Sequence, residues 1–387
     1  MKLRVLVVLL LFLSGVWILS CQSKSKLEQN SSWSGEMQSM AKEVYDLLPF
    51  VYSPAKFKQN ENHEEIAKKI EALEKTIHQL PEKTGEQMLG EDHIVGFTLK
   101  NLKDDVERSL VIFNEGNKEY ARTVLRNSLN YCFRCHTRTN YGPEFKRWGF
   151  DVNKMAISPT SKARLLVVTR QYEAAQKTLE DYLTTKTGFY NKPFEQENAL
   201  DYYLSLMVRV QQNPTQAMAV FKQVKDNPNI PVYLKESVAY WMKSLKSWMA
   251  EKKKVISFTE AKKLIKKARS ISQWQSLDSA NVEYLRASSM IHDLLIKEKD
   301  PKNRAEMFMY LGDSYDVLSK NGYWELPELY YESCIKENPG RNSISRKCFL
   351  GYERNILLGY SGSIGVLVPA VEKEKLLKLK KLAGLAQ

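Results

Sequence analysis

Apolar residues along most of this chain recur at intervals of three and four, the spacing that gathers them on one face of an α-helix. The first such stretch runs from about Ser34 to Val51, with Met37, Met40, Ala41, Val44, Leu47, Leu48 and Val51 on the apolar face. Ser53-Pro54 ends it. The second spans about His63 to Leu80, turns Ile66, Ile70, Leu73, Ile77 and Leu80 inward and stops at Pro81. A loop through Gly85 and Gly90 leads to the third, about Asp92 to Phe113, whose inward positions are Val95, Leu99, Leu102, Val106, Leu110 and Phe113. Asn114-Glu115-Gly116-Asn117 reads as a C-terminal glycine followed by an asparagine N-cap. The fourth helix then runs from Lys118 to about Thr139. Its stripe of Ala121, Val124, Leu125, Ser128 and Leu129 is continued by Cys132, Cys135 and His136. Four amphipathic helices of similar length with short connections predict an up-down-up-down bundle over residues 34–141.

Residues 142–159, with Tyr141-Gly142-Pro143 before them and Trp148-Gly149-Phe150 and Ser158-Pro159 within, read as a partly packed linker. Beyond it the pattern becomes one of helix pairs. Tyr172-Glu173-Ala174, Thr215-Gln216-Ala217 and Thr259-Glu260-Ala261 recur 43 and 44 residues apart. Each opens a second helix after an apolar first one: Ala163 to Val168, Leu200 to Val210, and Val238 to Met249. Tyr310-Leu311-Gly312-Asp313-Ser314-Tyr315 resembles the start of a tetratricopeptide repeat. Tyr331, Cys334 and Pro339 match its later aromatic, small and proline positions if an insertion near Gly322 is allowed. The spacings exceed the usual period, so residues 160–387 are expected to form a tetratricopeptide-like α-solenoid, the alternative being an irregular helical domain. Leu377 to Ala386 reads as a basic capping helix. The fold class expected for the chain is all-α.

The N-terminus adds an address. Lys2 and Arg4 precede an apolar run from Val5 to Ile18, too short to span a membrane comfortably, and Ile18-Leu19-Ser20-Cys21 follows. That order resembles a bacterial lipoprotein signal, with residues 1–20 removed and Cys21 lipidated. The alternatives are an ordinary signal peptide with a chance cysteine, or an uncleaved anchor. Gln22 after the cysteine, by the same resemblance, implies sorting to the periplasmic side of the outer membrane. Residues 22–33, rich in Ser, Gln, Lys and Asn, would be a flexible tether behind the lipid.

The net charge is +13, and it falls by two, to +11, when Lys2 and Arg4 leave with the signal. An exported chain rarely meets nucleic acid, so acidic proteins or anionic lipid are the expected counterparts of any basic surface, although a solvated lysine-rich helical face is the first explanation of the charge. The five cysteines divide without remainder. Cys21 takes lipid, Cys132 and Cys135 belong to one motif, and Cys334 with Cys348 form a spare pair that an oxidising compartment would join as a disulfide. Two buried free thiols are the alternative.

That motif is Cys132-Phe133-Arg134-Cys135-His136, the Cys-x-x-Cys-His signature of c-type haem attachment. Two thiols three apart on a helix point the same way and add across the vinyl groups of one porphyrin. The following histidine then offers its imidazole to the iron. A redox dithiol wants a βαβ setting and a zinc site wants a second ligand pair, and neither is visible in the sequence. A bundle whose last helix ends in this motif resembles the cytochrome c-prime group and its low-spin relatives, over about residues 34–141. The resemblance implies haem near the end of the bundle, where Met37, Met40, His78, Met88 and His93 would also lie. In the low-spin relatives a methionine near the start of helix one is the sixth ligand. Here that ranks Met40 first, then Met37 and His93, then His78.

The function expected from these residues is that of a lipid-anchored, periplasmic monohaem c-type cytochrome, an electron carrier rather than an enzyme. Its helical repeats would dock a redox partner, and the basic charge balance would suit an acidic one. Two other classes stay open. One is a haem protein that binds a gas such as NO or CO, or acts like a peroxidase. The other is an assembly scaffold built on the repeats. Residues 160–387 hold no recognisable catalytic constellation; His292, their only histidine, reads as a surface or packing residue.

Overall fold

The computed structural model describes residues 34–80, 93–138, 151–185, 192–251, 256–273, 277–318, 325–363 and 365–385. Cys21 with its expected signal and tether, the loop carrying Met88, and the first half of the expected linker lie outside these residues. The described chain is all-α apart from one short hairpin. No helix among the described residues is long and apolar enough to cross a membrane.

Helices fall where the apolar spacing puts them. Helix α1 occupies residues 34–51 and buries Met40, Ala41, Leu47, Leu48 and Val51. Ser53 stops it and at once caps a short second helix, α2 (Pro54–Lys58), whose proline at N1 needs no hydrogen-bond partner. This extra turn and the 3-10 turn Asn60–Asn62 were not expected from the pattern, being too short to show a period. Helix α3 (His63–Gln79) buries Ile66, Ile70, Leu73 and Ile77. Helix α4 (Ile94–Asn114) and helix α5 (Lys118–His136) follow. Gly116 between them has φ +92, a left-handed turn that glycine adopts without steric cost, and the Asn117 side chain accepts from the Tyr120 amide at 3.4 Å.

The chain divides into two compact units, and the boundary is not the one expected at residue 141. Among the described residues, 34–80 and 102–126 form the first, and 93–101 with those from 127 onward form the second. Within the first unit Phe113 meets Phe57 edge-on at 5.2 Å and stacks on His63 at 4.8 Å. The Arg122 guanidinium donates to the Val51 carbonyl at 2.9 Å and pairs with Glu119. The last two and a half turns of α5, with the cysteine motif, pack instead with the helices that follow. Phe133 lies against Tyr202 at 4.6 Å, and Arg164 donates to Asn130 at 2.8 Å.

In the second unit the helices are α6 (Pro159–Val168), α7 (Tyr172–Thr184), α8 (Pro193–Ser205), α9 (Pro214–Asp226), α10 (Val232–Ala250) and α11 (Phe258–Ser272). Then come α12 (Asn281–Leu295), α13 (Pro301–Leu318), α14 (Leu326–Glu337), α15 (Ser343–Gly359) and α16 (Ala370–Leu382). The three expected pairs are α6 with α7, α8 with α9, and α10 with α11. Close packing joins α6 with α7, α7 with α8, α9 with α10, and each of α11 to α15 with the next. The expected pairs α8 with α9 and α10 with α11 are not packed this closely, and α6 also meets α8, α7 meets α9, and α13 meets α15. Helix α8 runs on as a π turn, Leu206–Val210, which the alternation of apolar residues did not reveal. A two-stranded antiparallel hairpin, β1 (Ser361–Gly362) and β2 (Gly365–Val366), precedes α16. The terminal helix therefore starts at Ala370 behind Pro369, earlier than the Leu377 expected.

Helices α14 and α15 are joined by a disulfide between Cys334 and Cys348, with Cα atoms 6.3 Å apart. Both residues are fully buried. One turn away on each helix, the Tyr331 ring is clasped between Gly312 of α13 and Gly351 of α15. Replacing both cysteines by alanine is expected to destabilise the chain by about 2–3 kcal/mol, since the bridge closes a short loop. Thermal unfolding of the pair variant measures this. A non-reducing peptide map of wild type should yield one linked 334–348 peptide; two free thiols there would contradict it.

Candidate functional site

The residues singled out by the sequence sit at the C-terminal end of α5. Cys132 is buried, Cys135 is half-buried, and neither is in a disulfide. They lie one turn apart on the same helix, as their spacing requires. The helix closes just beyond them: the Thr137 amide and hydroxyl both donate to the Phe133 carbonyl, at 2.9 and 2.8 Å. Burial, with the neighbouring Cys135 second, pushes the Cys132 thiol up to about 12. Arg164 pulls it slightly the other way.

His136 is the last residue of α5. Its Nδ1 is enclosed. Burial above all, and then the Arg170 guanidinium, bring the imidazole down to about 4, against a weaker opposing effect of the Val168 and Val167 carbonyls. The ring is therefore neutral at pH 7, the form in which histidine binds a metal. The backbone carbonyl of His136 accepts from the Tyr172 hydroxyl at 2.8 Å. Tyr172 is itself pushed up to about 12, chiefly by burial.

The turn from α6 to α7 supplies this wall. Arg170 has φ +58, left-handed backbone that costs a non-glycine residue about 1 kcal/mol. Its amide donates to the Val167 carbonyl at 2.9 Å, and its guanidinium lies 5.8 Å from the centre of the Tyr172 ring. Sequence reasoning missed Arg170; Thr169-Arg170-Gln171 has no glycine or asparagine to mark a left-handed turn.

Two further arginines frame the motif. Arg134 pairs with Glu325 at 3.4 Å, and the fully buried Arg138 donates to the His292 carbonyl at 3.5 Å. His292, expected as a lone surface or packing residue, is fully buried with Nε2 2.8 Å from the Tyr315 hydroxyl. Arg209 from the π turn donates to the same hydroxyl at 2.8 Å.

The sixth-ligand candidates are divided between the units. Met40 is buried and Met37 half-buried on α1 of the first. His78, also in the first, has Nε2 2.7 Å from Glu107 and 3.8 Å from Glu74. Among the described residues, Glu74, His78 and Glu107 form a group whose ligand atoms all lie within 4.8 Å of one another, on an exposed face. His93 belongs to the second unit and packs its ring 5.3 Å from Phe308.

A c-type haem asks for two free thiols, a neutral imidazole and cations for its two carboxylates. Cys132 and Cys135, His136, and the arginine-rich surround of the motif match that set, so the donor chemistry fits the group. No protein-family model matches the chain, and neither the curated proteins nor the solved structures yield a match.

Proposed function

We propose that the chain is a monohaem c-type cytochrome that carries electrons. The observation that carries this reading is the pair of cysteines one turn apart on α5, neither in a disulfide, with the enclosed, neutral imidazole of His136 beside them. Cys132 and Cys135 would hold haem through thioethers, and His136 would be the proximal ligand. When bound, haem supplies a one-electron ferric–ferrous couple. Burial of the motif keeps water from it, and the Tyr172 hydroxyl anchors the end of α5 through the His136 carbonyl.

The finer architecture belongs to the same proposal: a four-helix bundle resembling cytochrome c-prime relatives, followed by a tetratricopeptide-like α-solenoid. Serial packing of most helices from α6 to α15, with the next-but-one contacts α6 to α8, α7 to α9 and α13 to α15, supports the second part. So does the Tyr331 ring set against Gly312, an aromatic of one helix received by a small residue of the one before. A cavity of about 720 Å³ in the second unit, lined among others by Val208, Trp248, Lys263, Lys267, Arg286 and Met290, is where a partner protein would dock. Cys21 would tether the protein by lipid to the periplasmic side of the outer membrane.

Visible spectra of the purified protein, oxidised and reduced, test the reading. A low-spin, six-coordinate spectrum is expected. Met40 remains the first candidate for the sixth position on the sequence argument, ahead of Met37, His93 and His78. The weak far-red band of Met–iron ligation should then be present in ferric wild type and absent in Met40→Ala. A high-spin, five-coordinate wild type that takes up carbon monoxide readily would move the protein to the gas-binding class.

A further inference from the structure

The turn that faces His136 holds a cation with too few partners. Nε and Nη2 of Arg170 are buried and have no hydrogen-bond acceptor among the described residues. Arg170 sits left-handed, its amide tied to the Val167 carbonyl and its side chain laid against Tyr172. Tyr172 in turn holds the His136 carbonyl. A guanidinium with two buried nitrogens left without acceptors is costly, and an anion that accepts from both would offset that cost. Arg is also the side chain whose planar donor fork matches a carboxylate. Cys132, Cys135 and His136 bring no negative charge of their own at neutral pH once the thiols are spent as thioethers.

We propose that Arg170 is the carboxylate receptor of this site, its Nε and Nη2 donating to a propionate of the covalently held haem. The inference rests on the haem reading and adds to it a residue from the helical-repeat part of the chain. Haem attachment and counter-charge would thus come from different elements: the thiols from α5, the cation from the turn between α6 and α7. The left-handed backbone at Arg170 is the means by which a side chain in that turn is aimed at the motif.

Two preparations of the full chain decide it, the haem-bearing protein and a haem-free Cys132→Ala/Cys135→Ala chain, each with and without Arg170→Leu. Leucine and arginine meet the same backbone cost at φ +58, so that contribution cancels. In the haem-free chain the substitution removes a cation with two buried, unsatisfied nitrogens, and the unfolding midpoint should rise by about 3 °C. In the haem-bearing protein it removes half of an ion pair, and the midpoint should fall by about as much. Shifts of the same sign in both preparations overturn the pairing, as does no shift in the haem-bearing one. The reduction potential of the haem-bearing protein gives a second reading that needs no haem-free chain. Arg170→Leu should lower it, because a cation beside the iron disfavours the ferric state, and Arg170→Lys should keep it near wild type. Equal potentials in all three overturn the proposal. Inorganic phosphate that stabilises haem-bearing wild type but not Arg170→Leu would show the anion to come from solution, and also overturns it. A wild-type chain without covalent haem overturns this proposal together with the functional reading, whereas the other failures leave that reading standing.

Discussion

Expressed with a c-type haem maturation system, the wild-type chain should keep its haem through denaturing electrophoresis, and Cys132→Ala/Cys135→Ala should lose it completely. Two thioethers survive unfolding, whereas an iron–histidine bond alone does not. Peroxidase staining of the denatured band reads the difference directly. The single variants refine it, because one remaining thioether still holds the group. Cys132→Ala and Cys135→Ala should each retain a fainter stained band. His136→Ala should keep the covalent attachment yet change the spectrum, since it removes an iron ligand and not a tether. Haem that leaves wild type in acidified acetone would sink the assignment of this motif.

The second large effect is expected at Gly351. Glycine inside a helix ordinarily gives way to alanine with a gain of up to about 1 kcal/mol. Here the new Cβ would lie 2.5 Å from Cζ of Tyr331, with Cε1 and Cε2 at 2.7 and 2.8 Å. The ring cannot retreat, because the Cβ position of Gly312 is 2.5 Å from its Cε1 on the other side. Its hydroxyl is also fixed, donating to Asp313 at 2.9 Å. Overpacking of this kind costs about 1–3 kcal/mol and should outweigh the helix-propensity gain. Gly351→Ala is therefore expected to lower the unfolding midpoint by about 5 °C. Adding Tyr331→Leu, which makes room, should recover part of that loss, a coupling that a double-mutant cycle measures. An unchanged or raised midpoint in Gly351→Ala would show that the ring is not held between the two glycines.

Much of the helix register was legible from the chain because burial follows the apolar stripe. In α3 the expected Ile66, Ile70, Leu73 and Ile77 are the buried residues, and on α5 Ala121, Val124, Leu125, Leu129 and Cys132 are buried in turn. The cysteine motif was legible for a different reason, since its chemistry fixes its spacing. A single stripe does not, however, say which helices cover it. Sequence order assigned the end of α5 to the first four helices, whereas Phe133 finds Tyr202 and the His136 carbonyl finds Tyr172, both later in the chain. The short α2, the π turn at Leu206–Val210 and the hairpin before α16 each depend on one or two turns of backbone, too little for a period to register. Arg170 was invisible because an arginine between Thr169 and Gln171 carries no turn signal.

If Cys132 and Cys135 attach haem as proposed, the two cysteine pairs require opposite oxidation states in one molecule. Cys334 and Cys348 lie only 14 residues apart, so they meet early in folding and are joined locally. Cys132 and Cys135 are closer still in sequence and must nevertheless stay reduced, because thioether formation consumes thiols. In an oxidising compartment the chain would thus be matured in an order. The α14–α15 bridge is made by oxidation, while the α5 pair is kept or returned to the dithiol state until haem arrives. Folding assists the separation: once enclosed, the Cys132 thiol is held up to about 12 and exchanges slowly with any passing disulfide. A host that oxidises exported thiols quickly and reduces them poorly would accumulate a folded, bridged and haemless form of this protein.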